Sequence, residues 1–92
     1  MVEIYVGKVA GMVVSTQKDE TLVGKKLLIV QPVDSKEKAI GNAEVAIDSV
    51  GAGTGELVLV SKGSSARKVF GPEKSPIDAA IVGIIDTIQA EE

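Results

Sequence analysis

A glycine-rich segment in the middle of the chain is the pattern that comes closest to a chemical motif. Residues 51–55 read GAGTG, and glycine-rich loops can hold phosphate groups with their backbone N–H groups. A P-loop needs G-x-x-x-x-G-K-[ST], and a dinucleotide fingerprint needs G-x-G-x-x-G opening a helix. This segment has neither spacing, lacks the P-loop lysine and leads into the apolar run LVLVS. We interpret it as a tight turn or a point of close approach between chains, since glycine allows both.

The other residue types that carry catalysis are absent or isolated. The chain has no His and no Cys, which excludes Cys/His zinc sites, disulfides and nucleophiles activated by His. Ser64 and Ser65 would need a lysine as base, and no pattern supports one. Asp48, Asp78 and Asp86 could include an acid–base pair, but solvated or capping carboxylates explain them, and Asp78 falls in the first turn of a predicted helical segment. We predict no enzymatic activity, no cofactor and no metal.

The charge and composition of the chain argue against nucleic acid as a partner, and the lack of a long apolar run argues against a membrane. The formal net charge is −3, and no run of Lys or Arg exceeds two residues, whereas nucleic-acid binding depends on clustered basic residues. Tyr5 and Phe70 are the only aromatic residues, too few for base stacking along a groove. No apolar run approaches the ~18 residues of a membrane span, and no signal-peptide pattern opens the chain. We therefore expect a soluble intracellular protein.

Composition and periodicity together predict an all-β fold. Hydrophobic residues make up 45% of the chain but aromatic residues only 2%, so the core must come from Val, Ile, Leu and Ala, which favours strands. We predict strands over residues 4–15, 26–33, 44–48, 57–61 and 80–88. Gly7 and Gly11 interrupt the first strand, where interior glycines mark bulges or close backbone approach. Residues 34–42 form a charged loop, and residues 17–24 form a polar turn in which Leu22 and Val23 tuck inward.

Two short helical turns complete the prediction, one after Ser64 or Ser65 and one beginning at Ser75-Pro76. The expected fold is a small five-stranded OB-like β-barrel with one or two short helical turns, formed as one domain over residues 1–92. Because such a small chain has no disulfide to stabilise it, we also expect oligomerisation.

Three stretches of the sequence resemble the EutN/CcmL family of bacterial-microcompartment vertex proteins. They are GKVAGMVVSTQKDETLVGKKLLIVQPVD, DSVGAGTGELVLVSKGSSAR and PIDAAIVGIIDTI, and together they run nearly from end to end. The resemblance implies a homopentamer of OB-like barrels that plugs the fivefold corners of a polyhedral shell in the bacterial cytoplasm, beside hexameric and trimeric shell proteins. A carboxysome and a catabolic metabolosome both remain open.

The resemblance also assigns two sets of contact residues. The first, expected near a subunit contact or the ring axis, is Gly51, Ala52, Gly53, Thr54 and Gly55. The second, expected to face the neighbouring shell tiles, is Gly63, Ser64, Ser65, Ala66 and Arg67. The alternative function is an OB-fold module that binds nucleic acid or another small partner, and from the residues alone Arg67 could equally be an ordinary exposed arginine.

Overall fold

Five strands and one short turn make up the elements of the computed structural model, which describes residues 3–16, 20–63 and 77–89. The elements are β1 (Glu3–Val13), the 3₁₀ turn η1 (Glu20–Leu22), β2 (Lys26–Pro32), β3 (Glu44–Asp48), β4 (Leu57–Lys62) and β5 (Ala79–Ile85). All five predicted strands are confirmed, with ends that differ by up to three residues.

The predicted helical turns fall mostly on residues 64–76, which lie outside the described residues. Ile77 and Asp78, the described end of the second turn, are not helical. The helix dipole therefore does not explain Asp78, and that interpretation was wrong. Within the described ranges, no helix is long and apolar enough to cross a membrane.

The strands close into a barrel in the order β1-β2-β3-β5-β4. Neighbouring strands are antiparallel except β3 and β5, which run parallel and share only two residue pairs, Ile47 with Ala80 and Asp48 with Ile81. Closure pairs each described strand on both sides, so the sheet has no free outer strand. The predicted small five-stranded barrel is confirmed.

Strand β1 is long because it pairs with both β2 and β4 as it coils around the barrel. A register shift between Val9 and Gly11 marks a bulge against β2, and such a bulge bends and twists a strand. At Gly7 the backbones approach closely: a Cβ there would run into the Val30 side chain and would lie 3.2 Å from the Gln31 carbonyl oxygen. Both predicted roles of the β1 glycines, bulge and close approach, are confirmed.

Aliphatic side chains fill the barrel interior, as the composition predicted. The main cluster consists of buried residues from the five strands and one loop residue, and Tyr5 packs against it. Its members are Val9, Leu28, Val30, Ala46, Ala52, Val58, Val60, Ala79 and Ile81.

A second, smaller cluster contains Leu22, Leu27 and Ile47. Leu27 belongs to this cluster and its neighbour Leu28 to the main one. Side chains on both faces of β2 are therefore covered, which explains its almost continuous apolar run. The prediction that Leu22 tucks inward is confirmed, but Val23 is 65% exposed. Consecutive residues of a tight turn point in different directions, so only one of the two can reach the core.

Candidate functional site

The described members of the two predicted contact sets lie at opposite ends of the barrel. Residues 51–55 connect the end of β3 to the start of β4, whereas Gly63 follows the end of β4. Ser64, Ser65, Ala66 and Arg67 lie outside the described residues. We call residues 49–56 the glycine loop. We call the opposite end of the barrel, marked by Glu3, Glu44 and Lys62, the mouth.

Asp48 holds the glycine loop in place. Its side chain is 1% exposed, and its two carboxylate oxygens accept hydrogen bonds from the backbone N–H groups of Val50 and Ala52 at 3.0 and 2.9 Å. The Lys26 ammonium lies 3.7 Å from the same carboxylate. A carboxylate that accepts from two N–H groups of the loop that follows it fixes a turn. Asp48 is therefore a structural anchor and is buried rather than solvated.

Ala52 closes this end of the barrel. It is 0% exposed and belongs to the main core cluster. Its carbonyl oxygen accepts a hydrogen bond of 2.8 Å from the Lys26 ammonium, so the buried peptide is satisfied at both its N–H and its C=O. Ala52 thus has a role inside its own subunit, which the sequence did not reveal.

Folding of the subunit explains some glycines of the loop and leaves one unexplained. Gly51 and Gly55 have φ angles of +82° and +91°, which side chains disfavour. The Gly55 N–H donates to the carbonyl oxygen of Val9 at 2.8 Å, which ties the loop to β1. Gly53 does not have a positive φ, and a Cβ there would meet only a Glu56 carboxylate oxygen at 3.5 Å. Gly53 is therefore where a neighbouring chain would have most reason to exclude a side chain.

A hydrogen-bonded triad lies at the mouth. The Tyr5 hydroxyl donates to one oxygen of Glu44 at 2.5 Å, and the Lys62 ammonium donates to the other at 2.9 Å. Burial of the ring, followed by the hydrogen bond to Glu44, raises the pKa of Tyr5. The hydrogen bond to Glu44 also raises the pKa of Lys62. At neutral pH, Tyr5 and Lys62 are therefore both protonated donors to the Glu44 carboxylate.

Sequence reasoning missed this triad. Glu44 is separated by 39 residues from Tyr5 and by 18 residues from Lys62, and no local pattern joins residues so far apart. The available signal was strand alternation: Tyr5 occupies the same phase of β1 as Gly7 and Val9, which are buried. A polar side chain in that phase needs a hydrogen-bond partner when buried.

The outer face of the barrel carries an apolar surface across β1, β4 and β5. Val6 is paired with Leu59, and Leu57 is paired with Ile85; all four are only partly buried. Ile4, two residues before Val6 in the same strand phase, is 57% exposed. We call Ile4, Val6, Leu57, Leu59 and Ile85 the outer apolar face. A contiguous apolar surface of this kind is typical of a protein–protein contact.

The arrangement offers little for catalysis. Asp48 is committed to the glycine loop, Asp78 lies at the opposite end of the barrel, and Asp86 is exposed after β5. Among the described residues, no group of three or more carboxylates could hold a metal ion. What the described geometry does offer is two differently built ends and one apolar side.

Comparison with known proteins shows the family of this chain. The family model described as ethanolamine utilisation protein EutN/carboxysome matches residues 4–86. The chain belongs to the EutN/CcmL family. GrpN of Rhodospirillum rubrum, a microcompartment shell vertex protein, is 54% identical over 86 residues, which cover 94% of this chain and 97% of GrpN. The carboxysome shell vertex protein CcmL of a Nostoc species is 54% identical over 90 residues, covering 97% and 89% of the two chains.

Solved structures of this family have the same fold. GrpN from Rhodospirillum rubrum, described as a pentameric microcompartment shell protein, aligns with a TM-score of 0.84 over 95% of this chain and 99% of that chain, at 52% identity. These relatives confirm the resemblance predicted from the sequence. They are named as shell proteins rather than enzymes, which confirms the prediction of a structural role.

Proposed function

We propose that this chain forms a homopentamer that caps the fivefold vertices of a bacterial microcompartment, in contact with hexameric and trimeric shell proteins in the bacterial cytoplasm. The observation that carries the proposal is the likeness to pentameric GrpN, which extends over 99% of that chain at 52% identity. A shell tiled by sixfold units needs fivefold units to close, so such a protein acts through its geometry.

The outer apolar face suits the contact between subunits. In a ring, each subunit presents one surface to the next and receives a different surface from the previous one, so the contact is head to tail. The outer apolar face lies on the side of the barrel, between its two ends, and would be covered by such a neighbour. Its burial would supply stability that a chain of this size without disulfides lacks.

The two ends of the barrel then have separate roles. We place the glycine loop near the contact between subunits or the ring axis, because nothing in the described part of the subunit requires glycine at position 53. We place the segment that begins at Gly63 and continues through Ser64, Ser65, Ala66 and Arg67 against the neighbouring tiles. The placement of Gly63 at the opposite end from residues 51–55 supports this division, because one subunit can then contact its own ring and the surrounding shell at once.

A charge placed on the outer apolar face tests the proposal. Leu59→Glu would bury a carboxylate without a partner at the subunit contact, at a cost of about 2 kcal/mol or more per contact. Native mass spectrometry should show loss of the five-chain ring, with strand content retained by circular dichroism. The matched control is Thr87→Glu, which adds the same charge at an exposed position after β5 and should keep the ring. A ring that survives Leu59→Glu would remove this face from the subunit contact.

A further inference from the structure

The mouth of the barrel holds a cavity that the ring contact proposed above does not use. Its volume is about 320 Å³, at the lower end of the range of about 300–1,000 Å³ for pockets that take small ligands. Tyr5, Pro32 and Ile40 line it and supply apolar surface, and Ile40 is 50% exposed. The cavity can therefore receive a narrow apolar group, such as the stem of a long side chain.

Among the described residues that line this cavity, two are carboxylates, Glu3 and Glu44, and one is a cation, Lys62. Glu44 is already satisfied, since its two oxygens accept from Tyr5 and Lys62. Glu3 lines the cavity and lies opposite Lys62 in the register between β1 and β4. The hydrogen bond to Glu44 raises the pKa of Lys62 most, and the nearby charges of Asp78 and Glu3 raise it further. Within the described part of the chain, neither Glu3 nor Asp78 forms an ion pair.

We propose that this cavity receives a basic side chain, lysine or arginine, from a neighbouring shell protein. Such a side chain combines an apolar stem, which suits Pro32 and Ile40, with a cationic head that pairs with Glu3 on the cavity wall. Asp78 is outside the described lining, but its charge reaches Lys62 and adds attraction at longer range. A cationic head over the Tyr5 ring would gain further attraction. An acidic group would meet the excess negative charge that Lys62 alone does not offset, and a purely apolar group would desolvate the Glu3 carboxylate.

The position of the cavity agrees with a shell contact. The Gly63 N–H donates to the carbonyl oxygen of Asp78 at 2.9 Å, so the first residue of the proposed tile contact lies at the same mouth. The inference rests on the proposed function for the source of the basic side chain. The binding chemistry of the cavity can be measured independently of the shell.

The first test uses small probes on the purified protein. We expect n-propylguanidinium and n-butylammonium, which correspond to the arginine and lysine side chains, to bind saturably with dissociation constants on the order of millimolar. The Tyr5 ring resonances should shift as binding proceeds. Propylurea has the same stem as n-propylguanidinium without its charge and should shift them at least tenfold less at equal concentration. Equal shifts with the charged and neutral probes would overturn the proposal.

The second test uses matched variants. Glu3→Gln and Asp78→Asn should each weaken probe binding about two- to fivefold. Glu20→Gln makes the same change in η1, between β1 and β2 and away from the mouth, and should leave binding unchanged. The same variants should weaken binding to the hexameric shell protein of the compartment, more strongly at low salt. Unchanged affinity for the probes and for the hexamer in both mouth variants would overturn the inference.

Native mass spectrometry of the same variants separates this inference from the proposed function. The mouth variants should remain five-chain rings, since the outer apolar face is untouched. A protein that binds the cationic probes but is monomeric before any substitution would instead contradict the proposed ring.

Discussion

Gly7 lies at a close backbone approach in the barrel, and Gly7→Ala tests that packing directly. The added methyl group would run into the Val30 side chain and lie 3.2 Å from the Gln31 carbonyl oxygen. Val30 is β-branched and 0% exposed, so it has little freedom to move aside. Overpacking of this kind costs about 1–3 kcal/mol.

Gly11→Ala is the matched control in the same strand. A Cβ at Gly11 meets only the Ile29 side chain at 3.8 Å, an ordinary contact, and neither glycine has a positive φ. Alanine at such a site usually stabilises by about 0.4–1 kcal/mol, because it restricts the unfolded chain. That gain is common to both variants, so Gly7→Ala should be less stable than Gly11→Ala by about 1–3 kcal/mol.

The assay is urea denaturation followed by circular dichroism, at one fixed chain concentration because an oligomer's stability depends on it. In thermal melts the same difference corresponds to about 4–8 °C per kcal/mol for a chain of this size. Equal unfolding midpoints for Gly7→Ala and Gly11→Ala would refute the claim that β1 needs glycine at position 7 for close packing.

Three further predictions address the glycine loop, the mouth and the shell contact. Gly53→Val should disrupt the ring while the subunit stays folded. Gly51→Val should instead lower the stability of the subunit itself, because the φ angle of Gly51 is +82°. An unchanged ring mass with Gly53→Val would remove the loop from the contact. Because the pKa of Tyr5 is raised, its contribution to stability should be intact below the ordinary tyrosine pKa of about 10 and be lost at higher pH. The chain has one tyrosine and no Trp, so phenolate absorbance reports on Tyr5 alone. In Glu44→Gln this absorbance should appear at a lower pH than in the unchanged protein, but still at a higher pH than for an ordinary tyrosine, because the ring remains buried. An unchanged titration would rule out Glu44 as a cause of the raised pKa. Arg67→Ala should leave the ring intact and reduce incorporation into shells, and normal incorporation would count against its tile contact.

Local chemistry explains why the strands could be predicted from the sequence. Alternation or near-continuous aliphatic runs marked all five strands, and glycine marked both the bulge and the close approach in β1. The polar turn predicted over residues 17–24 contains η1. Val23 was misplaced within it, because so short a turn carries no periodic signal.

Long-range pairing explains what the sequence could not show. The parallel contact between β3 and β5 depends on two residue pairs, and the Tyr5–Glu44–Lys62 triad joins three strands. Neither leaves a pattern in neighbouring residues. The contact residues of the glycine loop came from the family resemblance, and the structure adds that Ala52 and Asp48 serve the subunit's own fold.

The mass of the purified assembly in solution is the most direct test of the central claim. Native mass spectrometry should give a single species of five chains of 9.5 kDa each, independent of dilution over the micromolar range. A monomer, or a ring with another number of chains, would contradict the vertex role. A monomer would also restore the small OB-fold binding module as the leading explanation of the barrel.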